Sequence, residues 1–124
     1  MNEILTQEKS IYLQISEMIE NDILRDILLE EERVPSTNEL AALYAINPAT
    51  AAKGINLLVD RNILYKKRGI GMFVIAGAKE KIRQYRKDDF YQRYFKAMIE
   101  EARSLGITGE DLIRMIQAEE DKKS

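Results

Sequence analysis

Residues 35–74 read PSTNELAALYAINPATAAKGINLLVDRNILYKKRGIGMFV, and this stretch decides the fold. Ser36 and Glu39 have the spacing of a capping box, in which the serine oxygen accepts a backbone N–H and the glutamate accepts one from the cap in return. The spacing predicts a helix that begins at about Thr37. The apolar residues expected on its buried side are Leu40, Ala41, Leu43 and Tyr44.

A second helix is predicted from Asn47 to Arg61. Asn47 can cap it, and Pro48 suits the first helical position because its missing N–H would have no partner there. Asn62 is expected to be a left-handed residue after the last turn. The buried face is expected to hold Ala51, Ile55, Leu58 and Val59, and another face Ala49, Thr50, Lys53 and Asn56.

A β-hairpin is predicted after the second helix. The β-prone runs at residues 63–65 and 72–75 flank a glycine-containing turn with three adjacent cations at residues 66–68. A helix capped by Ser10 and running to residue 27 or 28 would close the core. These elements, in this order, describe a winged helix-turn-helix, a fold that is mainly α with a small β-hairpin.

Composition excludes several classes of function. The chain of 124 residues has no cysteine and no histidine, so disulfides, thiolate metal sites, cysteine nucleophiles and imidazole bases are absent. The carboxylate pairs Asp88–Asp89 and Glu100–Glu101 are adjacent and point apart on a helix, so we expect no catalytic site, cofactor or metal. No run approaches the roughly 18 apolar residues of a membrane span, and the N-terminus lacks a leader pattern. The expected location is the cytoplasm.

The net charge of −2 conceals a division of charge along the chain. Residues 1–46 carry 3 basic and 10 acidic side chains, residues 47–87 carry 10 and 2, and residues 88–124 carry 6 and 9. The positive charge therefore lies where the second helix and the hairpin are predicted. Because nucleic-acid binding depends on a local basic face, this division favours a DNA-binding protein. That these cations only solvate the surface stays open as the alternative.

Residues 76–124 are predicted to form a linker and a two-helix dimerisation tail, separate from the domain at residues 1–75. The basic stretch after Gly77 is either a linker along the DNA backbone or the exposed start of a long helix. Gly106 is expected to end one helix and Thr108 to cap the next. Five apolar residues recur at intervals of 4, 3, 4 and 3, which is the spacing of a coiled-coil seam: Tyr91, Phe95, Met98, Ala102 and Leu105.

We expect this apolar seam to pair with a second subunit, because a lone helix-turn-helix contacts too few base pairs and a two-fold dimer doubles them. Packing onto the N-terminal domain is the alternative. The aromatics Phe90, Tyr91, Tyr94 and Phe95 could line a cavity for an unknown effector, but aromatics at helical spacing are more often core.

The sequence resembles the GntR family of bacterial transcription regulators, and its short YtrA-like subgroup in particular. The family motifs are matched by Ile11, Tyr12, Gln14, Ile15, Pro35, Ser36, Glu39, Leu40, Gly69, Gly71, Phe73 and Val74, and the subgroup by Asn47, Pro48, Thr50 and Lys53. The resemblance implies a homodimeric DNA-binding regulator, usually a repressor of its own operon or of a neighbouring transporter operon. A winged helix that binds a protein instead of DNA is the alternative.

Family members often place arginines where this chain has Asn38, Pro48 and Ala52. Since an arginine–guanine pair supplies about 1–3 kcal/mol of discrimination, recognition must be shifted to other residues. The expected contacts to bases come from Asn47, Thr50 and Lys53, with Ala49 against a thymine methyl.

Two further regions are expected to contact DNA. Ser36 and Asn38 lie at the start of a helix, where its dipole assists phosphate binding. The predicted wing tip, which would enter the minor groove, consists of Lys67, Arg68, Gly69 and Gly71.

Overall fold

The computed structural model describes residues 4–6 and 9–123. It divides into two compact units, Met1–Gln84 and Tyr85–Ser124. The elements are α1 (Ile11–Leu24), α2 (Thr37–Tyr44), α3 (Pro48–Asp60), β1 (Leu64–Lys67), β2 (Gly71–Val74), α4 (Ala78–Phe90), a π-helical turn (Tyr91–Phe95), α5 (Lys96–Ser104) and α6 (Gly109–Asp121). No helix in the described ranges is long and apolar enough to cross a membrane.

Helix α1 supplies one wall of the first unit's core through Ile15, Ile19 and Ile23, which are at most 1% exposed. Two predictions for this helix are wrong. The Ser10 side chain makes no capping hydrogen bond. The helix ends at Leu24, because Asp26 adopts a left-handed φ of 61° and the chain turns back there.

Helix α2 begins where it was predicted, and both hydrogen bonds of the capping box are present. Glu39 N–H donates to Ser36 Oγ at 3.0 Å, and Ser36 N–H donates to a Glu39 carboxylate oxygen at 3.3 Å. Leu40 and Ala41 are buried, but Leu43 is 63% exposed, so its predicted burial is wrong. Since a helix rotates about 100° per residue, Leu43 lies well to one side of the centre that Leu40 and Ala41 define.

Helix α3 begins and ends as predicted and buries Ala51, Ile55 and Leu58, but Val59, expected on the same face, is only partly buried. Asn47 Oδ1 accepts the backbone N–H of Ala49 at 2.8 Å, and Pro48 occupies the first position. Asn62 has the left-handed φ of 59°, and Ile63 N–H closes the helix on the Leu58 carbonyl at 2.9 Å. This pattern is a Schellman motif.

The wing is an antiparallel hairpin in which Leu64 pairs with Val74 and Lys67 with Gly71. The segment between α1 and α2 bonds to the other edge of β2: Val34 N–H donates to the Met72 carbonyl at 2.9 Å. The wing is therefore attached to the helical core along both strands.

The basic stretch after Gly77 is helical, because α4 begins at Ala78, so the helix alternative is correct. Ala78 and Ile82 are fully buried, which explains why the first unit extends to Gln84. A domain boundary after residue 75 stays a prediction.

In the second unit, α5 ends close to Gly106, whose φ is 70°. Helix α6 begins with a capping box between Thr108 and Asp111. Both were predicted. Ala102 is the buried apolar side chain of this unit within the described residues, and large apolar side chains stay exposed. The π-helical turn adds about one residue to the turn that contains Tyr91 and Phe95, so a simple heptad seam is interrupted there.

Candidate nucleic-acid interface

The predicted contact residues separate cleanly between the two units. All ten predicted DNA-contacting residues lie in Met1–Gln84, and all five predicted dimerisation residues lie in Tyr85–Ser124.

Helix α3 is held against α1 at Gly54. A Cβ at this position would lie 2.7 Å from the Tyr12 carbonyl oxygen and 3.0 Å from the Ile15 Cβ. Ser16 Oγ–H donates to the Gly54 carbonyl oxygen at 2.7 Å. Glycine costs about 1 kcal/mol relative to alanine inside a helix, and here the close approach of the two helices explains it. The position of α3 is therefore fixed by backbone contacts.

The outer side of α3 carries the predicted base contacts. Ala49 and Lys53 are exposed, and Thr50 is partly exposed. The side-chain oxygen Oδ1 of Asn47 caps the helix, which leaves the side-chain NH₂ group to donate to a base. An open depression of about 470 Å³ lies on this side, lined by Tyr12, Ala49, Ala52, Lys53, Asn56, Leu57 and Asp60.

Tyr12, near the start of α1, also lines this depression. Its ring centroid lies 4.1 Å from the Lys53 ammonium nitrogen, so tyrosine from α1 contacts lysine from α3. Asn56 follows Lys53 by one helical turn and lines the same depression, so helical spacing alone could have added it to the site.

The capping box uses part of the hydrogen-bonding capacity at the start of α2. Ser36 accepts the Glu39 N–H, so only its hydroxyl hydrogen is available to a phosphate, whereas Asn38 is exposed. The hydrogen bond from the Ser36 backbone N–H lowers the pKa of Glu39, with help from the Ser36 hydroxyl and Arg33. Arg33 lies 3.4 Å from this carboxylate and offsets its negative charge beside the proposed phosphate contact.

The cations of the wing differ in their surroundings. Lys67 Nζ lies 4.2 Å from the Phe73 ring centroid, whereas Arg68 is exposed in the turn. Gly71 has a φ of 146°, a backbone conformation that favours glycine, and a Cβ there would lie 2.8 Å from Arg33 Nε, so the arginine side chain would have to shift.

Tyr65 connects the wing to the segment before α2. Its hydroxyl donates to the Glu31 carboxylate at 2.5 Å, and this hydrogen bond raises the pKa of Tyr65. Among residues 4–6 and 9–123, no cluster of acidic side chains could hold a metal ion.

The model of the family described as bacterial regulatory proteins, gntR family, matches residues 11–74. The chain belongs to this family. The match runs from α1 through β2, so the chain is a transcription regulator with a winged helix-turn-helix DNA-binding domain, and the prediction that it is not an enzyme is confirmed.

Three known proteins extend the likeness beyond this domain. A crystal structure of a GntR-family regulator from Bacteroides thetaiotaomicron has a TM-score of 0.80 and 33% identity, over 92% of this chain and 99% of that one. The transcriptional repressor YtrA of Bacillus subtilis is 28% identical over 107 residues, which are 86% of this chain and 82% of YtrA. BusR of S. agalactiae, solved with its busAB-promotor DNA, has a TM-score of 0.54 and 25% identity, over 88% of this chain and 58% of BusR. The predicted likeness to YtrA-type regulators is confirmed.

Proposed function

We propose that two copies of this regulator bind one operator in double-stranded DNA and repress transcription from it. The observation that carries the proposal is the two-sided character of α3. Ala51, Ile55 and Leu58 are at most 1% exposed, while Ala49 and Lys53 face solvent. A helix that is held firmly by one face and exposes a lysine and short side chains on the other suits insertion into the major groove.

In this proposal α3 reads base edges and the wing supplies affinity. Thr50 and Lys53 contact bases together with the Asn47 amide, and Ala49 packs against a thymine methyl. Arg68 and the glycine turn enter the minor groove, where a cation senses groove width. Ser36, through its hydroxyl hydrogen, and Asn38 contact phosphates.

Repression and dimerisation are supported by different observations. YtrA of B. subtilis is named a repressor, which supports the proposal that this chain represses transcription. The proposed target is the protein's own operon or a neighbouring transporter operon. The exposed apolar residues of the second unit supply the surface for a second copy. The proposed location is the cytoplasm, where the chromosome is accessible.

The test begins with selection of an operator from a random DNA library, followed by titration of labelled DNA. Thr50→Ala and Lys53→Ala should each weaken operator binding by about fivefold to 150-fold, the range that corresponds to 1–3 kcal/mol per base contact. Both variants should unfold like the wild type, because these side chains lie outside the core. Lys123→Ala, an exposed cation of the second unit, is the matched control and should bind normally.

Arg68→Ala tests the wing separately. It should weaken binding to all sequences alike and reduce the slope of log K against log salt by about 1. A reporter driven by the selected operator should rise when the gene is deleted. Normal binding by all three variants would contradict the assigned site, and binding of no DNA at low salt would contradict the proposed function.

A further inference from the structure

Tyr12 packs with its backbone close against the middle of α3. Its carbonyl oxygen would lie 2.7 Å from a Cβ at position 54, which is the closest approach recorded for any glycine of the described chain. Ser16 Oγ lies within hydrogen-bonding distance of both the Tyr12 carbonyl oxygen, at 3.2 Å, and the Gly54 carbonyl oxygen, at 2.7 Å. The start of α1 is therefore fixed to the middle of α3.

Lys53 extends over the aromatic ring of Tyr12. The 4.1 Å between its ammonium nitrogen and the Tyr12 centroid is a cation–π distance. Among residues 4–6 and 9–123, no carboxylate forms an ion pair with Lys53. The ring thus orients the lysine while its charge and its N–H donors remain free for an acceptor on DNA.

A lysine side chain has many rotamers, and ordering them on binding reduces affinity. A side chain ordered in advance avoids part of this cost. Lys53, Ala49 and Asn56 line one depression together with Tyr12, so the ring directs the ammonium group toward the side of α3 that carries the proposed base contacts.

We propose that Tyr12 is a positioning residue for DNA recognition, whose ring holds the Lys53 ammonium group in place for a base or phosphate acceptor. This inference rests on the proposed function. Through the Tyr12 side chain, helix α1 contributes to the proposed DNA-contacting surface, although most of its residues are buried.

The experiment is a double-mutant cycle with Tyr12→Leu, Lys53→Ala and the double variant, using the selected operator. Tyr12→Leu should weaken binding about two- to fivefold, as expected for loss of an exposed cation–π contact. In the Lys53→Ala background the same change should have no further effect. Tyr12→Phe keeps the ring and should therefore bind the operator with most of the wild-type affinity.

A second measurement follows the lysine without DNA. The Lys53 ε-CH₂ protons should show an upfield ring-current shift in NMR spectra of the wild type and of Tyr12→Phe, and lose it in Tyr12→Leu. If Tyr12→Leu unfolds at a lower temperature, Tyr12→Met, which fills space with an unbranched side chain, replaces it in the cycle.

The outcomes separate this inference from the proposed function. If Lys53→Ala weakens binding while Tyr12→Leu does not, or if Tyr12→Leu weakens binding equally with and without Lys53, the positioning role is overturned and operator binding stands. Absence of the ring-current shift in the wild type also overturns it. If the wild type binds no DNA, both proposals fail.

Discussion

The two compact units differ in how far their large apolar side chains are buried. In the first unit, side chains such as Ile19, Leu40 and Leu58 are completely buried. In the second, Phe90, Tyr94 and Leu105 are between 56% and 64% exposed. Both units have well-capped helices, so the difference lies in tertiary packing and not in local structure.

This contrast teaches what each unit needs. The first has a core of its own, closed by three helices and the wing, and can present α3 without a partner. The second has aromatic side chains that contact each other at the surface, with Tyr91 and Phe95 stacked at 5.3 Å between centroids and Phe90 and Tyr94 tilted at 5.9 Å. A group of exposed apolar side chains of this size is typical of an interaction surface.

The largest expected effect tests whether a second copy covers that surface. The double variant Phe95→Asp and Met98→Asp places two charges among the apolar residues and should weaken self-association by more than about 100-fold, since central interface residues often contribute 2 kcal/mol or more each. Sedimentation velocity measures the change. The variant should still bind a half-operator weakly, because its first unit is intact.

Lys123→Asp introduces a similar charge at an exposed position near the end of the second unit and is the control. It should leave association unchanged. Ala102, predicted for the same seam, is only 4% exposed in the single chain and has the least surface to offer a partner. A double variant that associates like the wild type would show that the apolar surface has another use.

A smaller effect tests the packing inside the first unit. Gly54→Ala should lower the free energy of unfolding by up to about 2 kcal/mol, because overpacking against α1, at about 1–3 kcal/mol, outweighs the roughly 1 kcal/mol that alanine adds in helix propensity. Urea unfolding followed by circular dichroism measures it.

Gly109, at the start of α6, provides the matched control. Its Cβ would meet no atom within 4 Å, so Gly109→Ala should be neutral or slightly stabilising. Equal changes in the free energy of unfolding for Gly54→Ala and Gly109→Ala would contradict the close contact between α1 and α3.

The parts of the fold that the sequence predicted are those governed by local chemistry. The capping box at Ser36, the cap at Asn47 and the left-handed Asn62 each involve residues within a few positions of one another. The order of the elements then followed from hydrophobic spacing and turn chemistry. The resemblance to a known family added the proposed contacts on α3 and the wing.

The features that the sequence did not predict depend on contacts between distant segments. Nothing near Gly54 indicates that Tyr12 and Ser16 approach it, and the Tyr12–Lys53 contact joins residues from different helices. Ser10 has the right residue type for a cap, but its side chain is not used as one. Leu43 was misassigned because an eight-residue helix covers too narrow a part of the core for hydrophobicity alone to decide.

The smallest expected effect compares the capping boxes of the two units. Hydrogen bonds from the cap residues lower the pKa of Glu39 and of Asp111, first through the backbone N–H and then through the hydroxyl of Ser36 or Thr108. Each carboxylate therefore stabilises the folded chain above its unfolded pKa, and this contribution disappears as the pH falls through the lower folded pKa. For Glu39 the loss begins near its ordinary value of 4.5, and for Asp111 near 3.8.

Glu39→Gln and Asp111→Asn keep an acceptor but remove the titration. Both should have lower thermal midpoints than the wild type at neutral pH, and both differences should shrink as the pH falls below the ordinary pKa of each carboxyl group, since the wild-type carboxylates then become protonated. The comparison between the units lies in the effect of protein concentration. If the second unit is completed by a partner, the thermal midpoint of its transition should rise with protein concentration through mass action, in the wild type and in Asp111→Asn, whereas the midpoint of the first unit, in the wild type and in Glu39→Gln, should not. A midpoint of the second unit that does not change with concentration would mean that this unit is stable without a second copy.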